Sequence, residues 1–289
     1  KESLKETSLE DEDSFENKEV EFELRERYKQ SNLEFPLSKI LFSPTQPDLL
    51  AMTDISLSLY RVKPSVEGLL SCESIKLNEE QAEFPAPLTS FDWNIVNPAL
   101  LVTSSYDTTC AVWDLDKGRT KELIIAHDKE VNDVAFFRNE YLFISCGADS
   151  SVRIFDLRDL DSSSILFEAT ETNALTRISI CPHNDNYFLT TPVDKSYFYL
   201  IDLRDTTCPV EIIGTHTSAV NNVIWSDEEK NLFLSVSDDK YLNFWDLEMI
   251  HSQVPKYQYT DEVNEINNAD WKEGLVAVNC YDTLRVMKF

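Results

Sequence analysis

The sequence predicts an all-β fold made of repeated antiparallel sheets that pack side by side around an axis, which is the architecture of a β-propeller. Three observations lead to this prediction. Similar segments recur every 42 to 46 residues, a short apolar run with near-alternate spacing precedes each of them, and polar or proline-containing stretches separate the runs. Short strands joined by turns produce this pattern, and convincing helical periodicity is missing outside the acidic N-terminal segment.

Four of the recurring segments end in an Asp-Leu pair. An aspartate lies seven or eight residues before that pair, at the predicted turn before a third strand. The spacing and the Trp-Asp endings are typical of the blades of a WD-repeat propeller. Four strong copies and two weaker flanking copies are visible, and they are residues 103–115, 145–157, 191–203, 235–247, 50–62 and 278–289.

The remaining strands of each repeat are predicted from the runs around these endings. A looser fourth strand is predicted at residues 120–126 and 257–260. A single four-stranded sheet cannot bury both of its faces, and packing such sheets face to face solves this problem. We therefore expect Trp93, Trp225 and Trp271, which end inner strands, to lie in the core between blades. The inner runs are residues 37–44, 87–94, 130–137, 175–182, 219–226 and 266–273.

The number of blades stays open at this level. Residues 1–18 are charged and poor in apolar side chains, which predicts an acidic, disordered arm or insertion. We assign residues 19–289 to the propeller. Either the first blade is incomplete in this chain, which gives seven, or residues 19–28 pair with the final repeat and close a ring of six. Residues 63–84 predict a long acidic loop.

The composition bounds the partners. The net charge is −26 and the isoelectric point is about 4.4, which disfavours nucleic acid and attracts basic protein segments. No run of eighteen apolar residues occurs, so we expect no membrane span. The six cysteines form no C-x-x-C pair and no cluster at zinc spacing. We expect buried thiols, no metal site and no cofactor.

The turn aspartates predict a buried hydrogen-bond network. In WD-repeat proteins such an aspartate joins a histidine, a serine or threonine and the tryptophan of the repeat. A satisfied network stiffens a blade, and breaking it leaves an unpaired polar group. The candidates are His216, Ser235, Asp239 and Trp245 in one repeat, His127, Ser145 and Asp149 in another where Phe155 replaces tryptophan, and Thr103, Asp107 and Trp113 in a third without histidine.

A serine, a histidine and an aspartate also make up a hydrolase triad, so an enzyme is the alternative reading of this network. Ser235 lies within the apolar run LFLSVS, and no G-x-S-x-G turn surrounds it. The chain also has no glycine-rich phosphate loop and no H-E-x-x-H motif. We therefore interpret the network as structural and the protein as non-catalytic. A small ligand in the central channel is a further alternative.

Four segments carry a resemblance to a known family. Residues 85–94, 103–115, 125–136 and 147–160 are similar to the WD-repeat proteins that include plant transparent testa glabra and animal Han-eleven. We interpret the chain as a divergent, fungal-type member. The resemblance implies seven blades, no catalysis, and a cytoplasmic and nuclear scaffold. It implies partners such as kinases of the DYRK type, MYB and basic helix-loop-helix transcription factors, and a cullin-RING ubiquitin ligase.

Two sets of residues are candidates for partner contact. In ligase receptors an arginine after the Asp-Leu pair faces the adaptor, and Arg158 and Arg204 match that position. The alternative is that each arginine only pairs with neighbouring carboxylates such as Asp156, Asp159 or Asp205. The second set lies on the predicted opposite face, where carboxylates suit a basic docking peptide, and comprises Tyr106, Asp128, Lys129 and Glu130.

Overall fold

The computed structural model describes residues 37–64, 70–75, 77, 86–170, 172–260, 264–280 and 283–288. These residues form six antiparallel sheets, which we call blades 1 to 6 in chain order. Blade 1 contains β1 (Lys39–Phe42), β2 (Leu49–Thr53), β3 (Leu57–Pro64) and β4 (Leu70–Ile75), blade 2 contains β5 (Leu88–Trp93), β6 (Leu100–Ser105), β7 (Thr109–Asp114) and β8 (Arg119–Ile125), and blade 3 contains β9 (Val131–Phe136), β10 (Leu142–Gly147), β11 (Ser151–Asp156) and β12 (Asp159–Glu168).

The second half of the chain repeats this arrangement. One 3-10 helix (Leu247–Ser252) follows the third strand of blade 5. Blade 6 has three strands among the described residues. Blade 4 contains β13 (Leu175–Ile180), β14 (Tyr187–Pro192), β15 (Phe198–Asp202) and β16 (Glu211–Ile213), blade 5 contains β17 (Val220–Trp225), β18 (Leu232–Ser237), β19 (Tyr241–Asp246) and β20 (Tyr257–Thr260), and blade 6 contains β21 (Asn268–Lys272), β22 (Leu275–Cys280) and β23 (Thr283–Lys288).

The architecture is an all-β WD-repeat propeller, as the repeat pattern predicts. Within every blade the strands are neighbours in chain order, and the first strand of each blade from 2 to 6 contacts the blade before it. The second strands are the most deeply buried, because they are covered on both faces. All six side chains of β6 are buried, and so are all six of β18.

The core consists of apolar clusters between consecutive blades. The predicted core position of the three tryptophans is confirmed, since Trp93, Trp225 and Trp271 are 4%, 4% and 3% exposed. Trp93 packs with residues of blade 1, and Trp225 packs with residues of blade 4. Each blade therefore closes the apolar face of its predecessor, and the fold is held together by sheet-to-sheet packing.

The structure corrects one boundary and leaves another untested. Residues 63–84 are not a continuous loop, because β3 extends to Pro64 and β4 occupies Leu70–Ile75. Six blades lie within the described residues. Residues 1–18, the predicted acidic arm, and residues 19–28, the predicted strand, lie outside them. The choice between a ring of six and a ring of seven therefore stays a prediction.

The two ends of the strands define two faces of the propeller. The upper face contains the turns between second and third strands, such as residues 106–108, and the segment around His127 that leads into β9. The lower face contains the turns between third and fourth strands, such as residues 115–118. The predicted partner-binding residues lie on these two faces.

Candidate partner-binding faces

The complete network of blade 5 brings all four predicted residues together. His216 Nδ1 lies 2.9 Å from Asp239 Oδ2, and His216 Nε2 lies 2.7 Å from Ser235 Oγ. Trp245 Nε1 donates to Ser235 Oγ at 2.9 Å. These hydrogen bonds run from the upper face to the centre of the blade, so the network connects the loop before β17 to β18 and β19.

Blade 3 builds the same connection without a tryptophan. His127 Nδ1 lies 2.9 Å from Asp149 Oδ1, and His127 Nε2 lies 2.7 Å from Ser145 Oγ. Ser151 Oγ, which the sequence analysis missed, donates to Asp149 Oδ1 at 2.8 Å. Phe155 stacks on an aromatic ring of β10 instead of donating a hydrogen bond. Hydrogen bonds from His127 and Ser151 outweigh burial and hold the pKa of Asp149 well below its usual range.

Blade 2 keeps only part of the network. Trp113 Nε1 donates to Thr103 Oγ1 at 3.1 Å, as expected for a pair in this position. Asp107 does not join them: its Oδ1 accepts from the backbone and the hydroxyl of Thr109, and its side chain is exposed. The assignment of Asp107 to the network is therefore corrected. Without a histidine to cover it, the turn aspartate stays at the surface.

The buried serine of blade 5 has no access to a substrate. Ser235 is 0% exposed and Trp245 is 1% exposed, and the serine hydroxyl already bonds both the histidine and the tryptophan. Burial lowers the pKa of His216, although Asp239 opposes the shift, so the neutral imidazole is favoured. The order of the hydrogen bonds is that of a catalytic triad, but a nucleophilic serine must be accessible to a substrate, and Ser235 is not.

The predicted upper-face residues are accessible. Tyr106 is 58% exposed, and the Asp128 side chain is 84% exposed and accepts from Arg153 Nη2 at 2.8 Å. Lys129 is exposed and Glu130 is half-buried. Lys129 thus lies next to Asp128 on an open loop of blade 3.

The blades on either side of blade 3 add a feature that the sequence analysis did not single out. In blade 4 the turn carries Val193, which is 38% exposed, beside the exposed Asp194. Blade 2 presents Tyr106 beside the exposed Asp107 in the same way. Both blades therefore offer an apolar side chain next to a carboxylate.

On the lower face, Arg158 forms a small assembly with two neighbours. Its Nε and Nη2 both donate to the carboxylate of Asp156, at 2.9 and 2.5 Å, and its guanidinium lies 4.9 Å from the centre of the Tyr141 ring. The hydrogen bonds and charge of Arg158 lower the pKa of Asp156 to about 2. The pairing with a neighbouring carboxylate therefore occurs, yet the Arg158 side chain remains 63% exposed.

Arg204 repeats this assembly in the next blade. It donates from Nε and Nη2 to Asp202, at 2.9 and 2.6 Å, and its guanidinium lies 5.7 Å from the centre of the Tyr187 ring. The Arg204 side chain is 62% exposed. In both blades the tyrosine begins or immediately precedes the second strand, so an aromatic residue at that position is the sequence signal that could have been found.

A cleft between blades 2 and 3 opens beside Arg158. Its volume is about 410 Å³. Ala99, Leu100 and Leu157 supply apolar surface, and charged side chains surround them. The full lining is Asn97, Ala99, Leu100, Asp114, Asp116, Lys121, Glu140, Tyr141, Leu157 and Arg158.

The expectation of buried thiols is confirmed for four of the described cysteines and wrong for one. Cys110, Cys146, Cys181 and Cys280 are buried, whereas Cys208 is exposed, and burial raises the pKa of Cys110 and Cys146. Among the described residues no three histidine, cysteine, aspartate or glutamate side chains are grouped to hold a metal ion. The same residues include no helix with the length and apolar character needed to cross a membrane.

Comparison with known proteins agrees with this architecture. A family model described as WD domain, G-beta repeat matches residues 118–156 and 207–246. The DDB1- and CUL4-associated factor 7 homolog of Dictyostelium discoideum is 36% identical over 266 residues, covering 88% of this chain and 80% of that protein. The chain belongs to the family of DDB1- and CUL4-associated factor 7. This family identification agrees with the resemblance seen in the sequence.

Two yeast members of the WD-repeat class are also similar. A WD repeat-containing protein of Schizosaccharomyces pombe is 36% identical over 243 residues, and one of Saccharomyces cerevisiae is 34% identical over 249 residues. The alignments cover 75% and 74% of this chain, but only 56% and 48% of those longer relatives. These family members are WD-repeat proteins, and a scaffold is the function that such a fold supports.

Proposed function

We propose that the protein is a non-catalytic adaptor that binds DDB1 through its lower face and links other proteins to a CUL4 ubiquitin ligase. One observation carries the proposal: Arg158 and Arg204 form two equivalent assemblies on the same face. The name of the relative, DDB1- and CUL4-associated factor 7 homolog, supplies the partner.

The geometry of the two arginines suits a docking role. Each guanidinium is held by two hydrogen bonds from its own side chain to an aspartate and by a tyrosine ring, so little side-chain entropy is lost when a partner binds. More than half of each side chain remains exposed. Arginine is among the residue types enriched at the positions that dominate binding energy in protein interfaces.

The test is the affinity of the purified chain for purified DDB1. The double variant Arg158→Ala plus Arg204→Ala should bind about thirtyfold more weakly, which corresponds to roughly 2 kcal/mol for the loss of interfacial arginines. The control removes two positive charges from the upper face with Lys129→Ala plus Lys240→Ala. Equal affinity of the arginine variant and the wild type would refute a lower-face DDB1 site.

A second candidate function uses the upper face, where a basic client could bind. Tyr106 and Asp107 in blade 2 and Val193 and Asp194 in blade 4 place exposed apolar and acidic groups on either side of Asp128. A segment with alternating basic and apolar side chains matches this chemistry. A docking segment of a DYRK-type kinase is the proposed client, and a basic segment of a transcription factor is the alternative.

The client proposal is tested with synthetic basic peptides from candidate kinases. Asp107→Lys plus Asp194→Lys should abolish peptide binding and leave DDB1 binding unchanged. Retention of peptide binding would exclude this surface. A small ligand bound in the central channel is the further alternative function.

Cytoplasmic and nuclear localisation and a fungal-type origin are part of the proposal, and the two yeast relatives support the fungal-type origin.

A further inference from the structure

The lower face carries more anchored cations than the two arginines. In blade 2, Lys117 Nζ lies 2.6 Å from Asp114 Oδ2, and in blade 5, Lys256 Nζ lies 3.0 Å from Asp246 Oδ2. Asp114 and Asp246 occupy the same place in their blades as Asp156 and Asp202, because each pairs with the first residue of the second strand. Blades 2 and 5 have no arginine directly after the Asp-Leu pair, and a lysine from another position of the turn pairs with the aspartate instead.

The four pairs share an orientation. The exposed fractions of the cationic side chains are 62% for Lys117, 63% for Arg158, 62% for Arg204 and 36% for Lys256. Their aspartates are 16%, 30%, 14% and 17% exposed, respectively. In every pair the cation is more exposed than its aspartate, so a partner that approaches the lower face contacts the cations first.

The two outer blades continue this series by another route. The residue that pairs with the start of the second strand is Arg61 in blade 1 and Lys288 in blade 6. Both blades therefore carry a cation where the inner blades carry an aspartate with its cation. Although the net charge of the protein is −26, each of the six described blades thus has a basic side chain on the lower face, near the start of its second strand.

We propose that Lys117 and Lys256 extend the arginine pair into a four-membered cationic arc that binds an acidic protein surface. The inference rests on the proposed adaptor function, because the arc includes the arginines assigned to DDB1 binding. It adds the partner chemistry, which is a row of carboxylates spaced to meet four consecutive blades.

The experiment measures DDB1 affinity for Lys117→Met plus Lys256→Met, which keeps most of each side chain but removes its charge. We expect binding about tenfold weaker, since each exposed contact contributes modestly, with a shallower dependence on salt. Lys117→Arg plus Lys256→Arg should restore binding. The matched control is Lys230→Met plus Lys272→Met, which removes two exposed lysines from the same end of the blades and should change affinity less than twofold.

The outcomes separate the arc from the adaptor function. If the wild type binds DDB1 and the Lys117 and Lys256 variant binds equally well, the arc is wrong and the adaptor function stands. If the wild type does not bind DDB1, the adaptor function is wrong. The arc is then wrong as well, because it is argued as part of the DDB1-binding surface.

Discussion

The network of blade 5 allows the contribution of one buried N–H group to be measured. Ser235 Oγ accepts from Trp245 Nε1 and lies 2.7 Å from His216 Nε2, and all three side chains are at most 4% exposed. Ser235→Ala removes the hydrogen-bond partner of His216 Nε2 and of Trp245 Nε1 at once. The amide of Asn243, which lies 3.3 Å from His216 Nε2, can still donate to the imidazole. The Trp245 N–H makes no other hydrogen bond with the described residues.

The expected loss follows from these contacts. A buried donor left unpaired costs about 1–3 kcal/mol, and a buried hydrogen bond contributes about 1 kcal/mol. We expect Ser235→Ala to lower the free energy of unfolding by about 3 kcal/mol. In a Trp245→Phe background no N–H is left unpaired, so the same substitution should lower it by only about 1 kcal/mol.

The assay is urea unfolding of the four proteins of this double-mutant cycle, followed by circular dichroism at 25 °C. An equal loss for Ser235→Ala in both backgrounds would refute the role of the tryptophan N–H.

Three further perturbations test other parts of the fold. Gly147→Ala should lower the melting temperature because a β-carbon there would lie 2.7 Å from His127 Nδ1, whereas Gly214→Ala, with its nearest contact at 3.6 Å, should be tolerated. Thermal stability should fall as the pH decreases below about 6.5, because the lowered pKa of His216 makes the unfolded state bind more protons. His216→Gln should flatten this part of the profile. Trp271→Ala should cost about 3–5 kcal/mol in urea unfolding, while a loss below 1 kcal/mol would contradict its core position.

The propeller could be predicted from sequence because its repeat sets the same physical problem in every blade. Where a preceding blade is described, the large side chain at the end of the inner strand is covered by that blade, so Trp93 and Trp225 could be assigned to the core from spacing alone, whereas Phe42 at the same position of blade 1 is 56% exposed. The β4 strand was not predicted, since Leu70–Ile75 lies in an acidic stretch with little alternation. Its pairing with β3 comes from backbone hydrogen bonds, which do not require an apolar pattern.

The partner-binding faces were less predictable, because they depend on contacts between distant residues. Arg158 and Arg204 were identified from a local motif, but the supporting rings of Tyr141 and Tyr187 come from another strand. Lys256 was missed because it pairs with an aspartate ten positions earlier, beyond the 3-10 helix. Asp107 was misassigned although its repeat visibly lacks a histidine, because the turn aspartate then stays exposed and accepts hydrogen bonds from Thr109 instead.

The charge distribution favours different modes of encounter on the two faces. At physiological ionic strength the Debye length is about 8 Å, so a partner close to one face senses mainly the charges of that face. A basic client benefits from the net charge of −26 at long range and from Asp107 and Asp194 at contact. An acidic partner is repelled at long range and attracted only near Lys117 and Arg158. Raising the salt from 0.05 to 0.15 M should therefore slow association of a basic client and accelerate that of an acidic one, and stopped-flow measurement of slower association for both would contradict this distribution.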